Sequence, residues 1–147
     1  MRLFKPNRSL FVVITIAYIG LLFFLSSIPS DPCIHTPLAK RILHNFLHVP
    51  AYGGLAFLFL LTFNSFKRSE SNFPHPFIFA GSLAFIFGVL DEFHQSFVPG
   101  RIVSLGDILL DAIGIILVLF IAKKYMWKFS AFQERKVGGD YAGQRGT

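Results

Sequence analysis

With one cysteine, Cys33, in 147 residues, the chain can form no internal disulfide and no cysteine-based metal centre. Charge is also scarce: Asp, Glu, Lys and Arg together supply 15% of the residues, against about 25% in ordinary soluble domains. No H-E-x-x-H sequence occurs, which removes the usual zinc-protease signature, and no Ser or Cys nucleophile has an obvious adjacent partner. What is abundant is apolar. Hydrophobic residues make up 53% of the chain, Phe alone occurs 19 times, and the mean hydropathy is +0.57. That balance excludes an ordinary soluble domain and calls for a membrane as solvent.

A hydrocarbon core about 30 Å thick needs roughly 20 mainly apolar residues per helical span. Four stretches satisfy this: 9–28, 45–66, 76–98 and 104–127. The first is uniformly apolar, the third turns polar in its last third, and the fourth is polar in its first third. The expected fold is therefore all-α, an integral membrane bundle of four transmembrane helices. It occupies residues 1–129, with 130–147 as a flexible cytoplasmic C-terminal tail rich in Gly, Gln and charge. Arg2, Lys5 and Arg8 ahead of the first apolar run resemble the start of a secretory signal peptide. The run is longer than the usual apolar region of about 7–15 residues, and SSIPSDP offers no A-x-A-like cleavage site, so it is read as a retained span.

Orientation follows from the short-loop Lys and Arg residues, which are retained in the cytoplasm. They gather at the N-terminus (Arg2, Lys5, Arg8), between spans two and three (Lys67, Arg68) and after span four (Lys123, Lys124, Lys128, Arg135, Lys136). The opposite side carries Lys40, Arg41 and Arg101. Both termini are expected in the cytoplasm of a bacterium, the protein sitting multi-pass in the cytoplasmic (inner) membrane. The net charge of +6 is explained by topology and anionic lipid. These bases flank spans and do not interleave with a soluble aromatic platform, so no nucleic-acid partner is expected.

With orientation set, helical rise gives depth. Span three reaches Asp91 and Glu92 after roughly 14 residues, or about 21 Å of climb. Asp107 and Asp111 sit at the outer end of span four, Asp111 about one turn (~5 Å) deeper. The four carboxylates form a layer near the outer face. Residues three or four apart share a helix face, which groups Asp91 with His94 and Gln95, Glu92 with Gln95, and Asp107 with Asp111. His44, His48 and Tyr52 form a row on span two, with Pro50 between them removing a backbone hydrogen bond and kinking the helix. Charge at membrane depth is costly and pairs inside the bundle or faces water. Arg101, His48, His94 and His44 are the available cations, and Pro99-Gly100 is a turn that can fold Arg101 back over the layer. Bland readings compete: His44 and Arg41 as interfacial snorkelling residues, and Asp107, three residues after Ser104, as a first-turn acid complementing the helix dipole.

The stretch DEFHQSFVPGRIVSLGDILLDAIG (91–114) resembles the signature of VanZ-like membrane proteins. It has an Asp-Glu pair, a Gln three residues on, a Pro-Gly-Arg turn, then an Asp and a small-residue helix ending in Gly. HVPAYGGLAF (48–57) is similar to the family's shorter second motif, and SSIPSDP (26–32) to the way its first span ends. The resemblance implies a compact helical membrane domain, associated in the family's best-known member with reduced susceptibility to teicoplanin, a lipid-tailed glycopeptide. One departure is Asp111, a position often held by Asn in that family.

Two functions of different class follow. In the first, a non-enzymatic envelope protein binds a membrane lipid or lipid-linked envelope amphiphile in an outer polar pocket formed by His48, Tyr52, Asp91, Glu92, His94, Gln95, Arg101, Asp107 and Asp111. Arg101 would there grip a phosphate. In the second, an intramembrane enzyme acts on a lipid headgroup with His48 or His94 as base or nucleophile, a metal-assisted version using the same carboxylates and histidines. No cofactor or resident metal is assigned, and a homo-oligomer stays open. A conduction path is disfavoured because the inner halves of all four spans are apolar.

Overall fold

The computed structural model describes residues 8–29, 38–66, 75–101 and 103–143, with side chains for 8–29, 46–66, 75–101 and 103–126. Four helices run in order, α1 (Arg8–Ser26), α2 (Leu38–Ser65), α3 (Pro76–Gln95) and α4 (Leu105–Gly143). No strand occurs among the described residues. Each helix contains an apolar stretch long enough to cross a bilayer: Arg8–Ser26, Phe46–Ser65, Pro76–Gln95 and Leu105–Met126. At 1.5 Å per residue such stretches climb about 28–33 Å, the thickness of the hydrocarbon core. The protein is an all-helical, multi-pass membrane protein, as its hydropathy predicts. Two boundaries differ from expectation. Helical backbone begins at Leu38, ahead of the apolar run of α2, and α4 continues to Gly143 through the stretch read as a tail. The side chains of Lys40, Arg41 and His44 lie outside the described residues.

The sequence sets the helix ends locally. His75 adopts a left-handed conformation (φ 62°) and hands over to Pro76, whose fixed φ suits the first helical position. After α3, the turn through Pro99 closes on Gly100 at φ 76°, a value an L side chain would resist. Ser104 then caps α4, its Oγ accepting the Gly106 backbone N–H at 3.1 Å.

Between helices in lipid there is no water to expel, so association depends on close packing and interhelical hydrogen bonds. On α3 the buried stripe is Ala80, Ala84, Gly88 and Glu92, one residue per turn and three of them small, which lets neighbouring helices approach. The most extensive helix pair is α2 with α4. They cross where a side chain on Gly114 would collide with the Val49 carbonyl, and one on Gly53 would lie 2.9 Å from the Gly114 carbonyl oxygen. Large apolar side chains such as Val13, Phe24, Ile116 and Phe120 are exposed, the surface a bilayer would cover.

The first helix is held partly by polar contacts. Thr15 and Thr62 share a hydroxyl hydrogen bond at 2.9 Å, and the Tyr18 hydroxyl donates to the Ala51 carbonyl at 3.0 Å. Thr15 also donates to the Phe11 carbonyl of its own helix (2.8 Å), so its hydroxyl keeps a partner if Thr62 is lost. A double-mutant cycle of Thr15→Ala and Thr62→Ala, read by unfolding in mixed micelles, should return a coupling of about 0.6 kcal/mol. A coupling above ~1.7 kcal/mol, beyond the range typical of such pairs, would show that the bond itself holds α1.

Candidate functional site

The C-terminal ends of α1 and α3 and the N-terminal end of α4 lie together, beside the turn of α2 that carries His48. Three helices supply the polar groups there. From α2, His48 Nδ1 is hydrogen-bonded to Asp111 Oδ1 on α4 at 3.0 Å, and both residues are buried. Asp111 has room because α3 presents Gly88 to it: a Cβ on that glycine would stand 2.8 Å from Asp111 Oδ2. One turn further along α3, Glu92 Oε2 accepts the Ser104 backbone N–H at 3.0 Å.

That last bond alters the role of Asp107. Ser104 and Asp107 have the spacing of a capping box, in which the acid reaches back to the N-cap N–H. Glu92 has already taken that N–H from the neighbouring helix. Asp107 Oδ1 is left buried without a partner. Asp107 does stand in the first turn of α4, with the capping N–H held by Glu92.

Around this centre lies a second group. Tyr52 stacks against His48 with ring centroids 6.1 Å apart and planes 16° from parallel. Its hydroxyl faces Asp91, whose Oδ2 accepts the Gln95 amide at 2.9 Å. The expected i, i+4 pairing of Asp91 with Gln95 is thus realised as a hydrogen bond.

Two expected site residues turn towards α1. His94 Nε2 is hydrogen-bonded to Ser27 Oγ at 3.0 Å, with its ring 4.4 Å from that of Phe23. The Arg101 guanidinium donates from Nε to the Ile28 carbonyl and from a terminal nitrogen to the Leu25 carbonyl, each at 3.2 Å. A cation over the last carbonyls of a helix complements the dipole and satisfies acceptors that have no intrahelical donor. The Pro-Gly-Arg turn does fold Arg101 back, and these two bonds place it on the end of α1.

The buried unpartnered side-chain oxygens show what the centre lacks. Among the described residues they are Ser26 Oγ, Glu92 Oε1, Asp107 Oδ1 and Asp111 Oδ2. Three of the four are carboxylate oxygens from the centre. Buried acceptors without donors are costly and rare, so the arrangement is suited to receiving a cation or a donor-bearing group.

The family model described as VanZ/LLP1 matches residues 10–128, a stretch that includes almost all of the four spans and every residue of this cluster. The chain belongs to the VanZ/LLP1 family. Searches of curated proteins and of solved structures return no significant match. Within this VanZ/LLP1 chain, the Asp-Glu pair divides its labour: Glu92 faces Ser104 and the centre, while Asp91 serves the Tyr52 and Gln95 side. Ser104, Gly88 and Gly114 also shape the site; the sequence reading uses Ser104 only to mark the start of span four and Gly114 only as the end of the family signature, and assigns Gly88 no role. Ser104-x-x-Asp107 carried a capping signal, and Ala80, Ala84, Gly88 and Glu92 carried a four-residue spacing that marks the inner face of α3.

Proposed function

We propose that this VanZ/LLP1 protein binds the polar headgroup of a membrane amphiphile at the outer end of its bundle, and that the cellular consequence is reduced susceptibility to teicoplanin-type lipoglycopeptides. The observation that carries the reading is that three buried carboxylate oxygens, one each from Glu92, Asp107 and Asp111, have no hydrogen-bond partner. A headgroup bearing ammonium or hydroxyl donors would satisfy them. The distribution of Lys and Arg supports placing this end at the outer leaflet. There a lipid-linked wall intermediate, or the acyl tail of the drug, lies within reach.

A second reading has its own support. The His48 imidazole is oriented by Asp111 through Nδ1, with Glu92 on the adjacent helix. An imidazole held by a carboxylate is the usual arrangement of a general base, which makes headgroup chemistry the alternative to binding.

The test expresses wild type, Glu92→Gln or empty vector in a sensitive Gram-positive host, with membrane abundance checked by immunoblot. Wild type should lower susceptibility to teicoplanin and not to vancomycin, and Glu92→Gln should lose the protection at equal abundance. A well-expressed wild type that protects against neither drug removes the resistance role. Lipid retained through purification by wild type and lost in Glu92→Gln supports binding, whereas a headgroup product that accumulates with time favours the enzyme.

A further inference from the structure

We infer that His48, Glu92 and Asp107 form a binding site for a divalent transition-metal cation, although no resident metal is expected from the sequence. Each residue comes from a different helix, and one ligating atom from each lies within 4.8 Å of the others. Donors around an ion with bonds of about 2.0–2.2 Å stand roughly 3–4 Å apart. A closure of about an ångström by the side chains completes the set.

Burial separates this trio from a surface cluster of acids. Glu92 is 1% exposed, Asp107 6% and His48 8%. The buried oxygens Glu92 Oε1 and Asp107 Oδ1 have no hydrogen-bond partner. One bond accounts for the state of both carboxylates. Asp107 is spared the N-cap because Glu92 Oε2 holds the Ser104 N–H, and that bond fixes the Glu92 carboxylate so that Oε1 points elsewhere.

The histidine is prepared in the same way. When Nδ1 donates to Asp111 Oδ1, the neutral ring carries its lone pair on Nε2, the form in which imidazole ligates a metal. A carboxylate behind a ligating histidine fixes ring and tautomer. Asp111 is thus a positioning residue, and stacking on Tyr52 holds the ring plane. One imidazole with two carboxylates is a borderline-to-hard donor set, which suits Zn²⁺ or Mn²⁺. It leaves coordination positions open, where a headgroup phosphate could be held by an otherwise acidic site. In that use the inference rests on the headgroup reading above, although the cation site itself does not depend on it.

The test uses full-length, tag-free protein in detergent, stripped with EDTA and titrated separately with Zn²⁺, Mn²⁺ and Co²⁺. One saturable equivalent should bind, raising the melting temperature, and Co²⁺ should give visible absorption bands of nitrogen and oxygen ligation. Glu92→Gln and Asp107→Asn should abolish binding. Asp111→Asn should weaken it by about 10–100-fold, and His75→Ala, at the far end of α3, should leave it unchanged. No saturable binding by wild type, or equal binding by correctly eluting Asp107→Asn, overturns the site. The Co²⁺ spectrum of wild type decides the matter even where a variant fails to fold. Metal binding with no drug or lipid phenotype sinks the headgroup reading alone, and drug protection without metal binding sinks the cation site alone.

Discussion

His48→Ala is expected to cost the folded bundle about 3–5 kcal/mol, the usual consequence of removing one member of a buried charged or hydrogen-bonded pair. The loss arises mainly from what is left behind. Asp111 is 1% exposed, and its Oδ2 already lacks a partner. Without the imidazole, Oδ1 loses its donor too, and a carboxylate with no donor remains inside the membrane. Replacing both residues by leucine should recover much of the stability, because an apolar pair of similar volume is often no worse than the polar one. Unfolding titrations in mixed micelles give both numbers. A single-variant cost within about 1 kcal/mol, the worth of one ordinary hydrogen bond, would mean that this pair does not hold α2 to α4.

The second large effect is expected at Gly114. A methyl group there would overlap the Val49 carbonyl. The obstacle is backbone, not the end of a flexible side chain, so α2 and α4 must separate along their most extensive contact. Gly114→Ala should therefore cost at least about 3 kcal/mol, the upper end for overpacking. Gly20→Ala provides the comparison: nothing lies within 4 Å of its added carbon, so the change should stay within about 1 kcal/mol, the scale of helix propensity. Gly114 lies one turn from Asp111 and Val49 next to His48, so separating the helices also pulls the buried pair apart. An observed cost near zero for Gly114→Ala would require the two helices to cross elsewhere.

The spans were legible because hydropathy and length alone decide whether a helix can cross a bilayer, and all four were placed to within a few residues. The common depth of Glu92, Asp107, Asp111 and His48 was also legible, since helical rise converts sequence position into height. Azimuth was not. His94 shares a face with Asp91 by spacing, yet its ring meets Ser27 and Phe23 on α1, a neighbour that no count along α3 can identify. Arg101 was recognised as folding back, but the α1 carbonyls it meets are backbone groups, invisible in a sequence read for side chains. The capping-box spacing at Ser104 and Asp107 was present in the sequence. That Glu92 would displace Asp107 from it depends on how α3 docks.

The bond between His48 and Asp111 also bears on how the protein is made. Its two halves are separated by 63 residues, so at about 5–20 residues per second the ribosome emits the histidine roughly 3–13 s before the aspartate. During that interval α2 is delivered to the bilayer with an imidazole whose partner does not yet exist. Because His48 stands two residues from the start of the apolar stretch of α2 at Phe46, the water–lipid boundary lies within its reach during that interval. Burial of the pair needs both helices, so it cannot precede the arrival of α4.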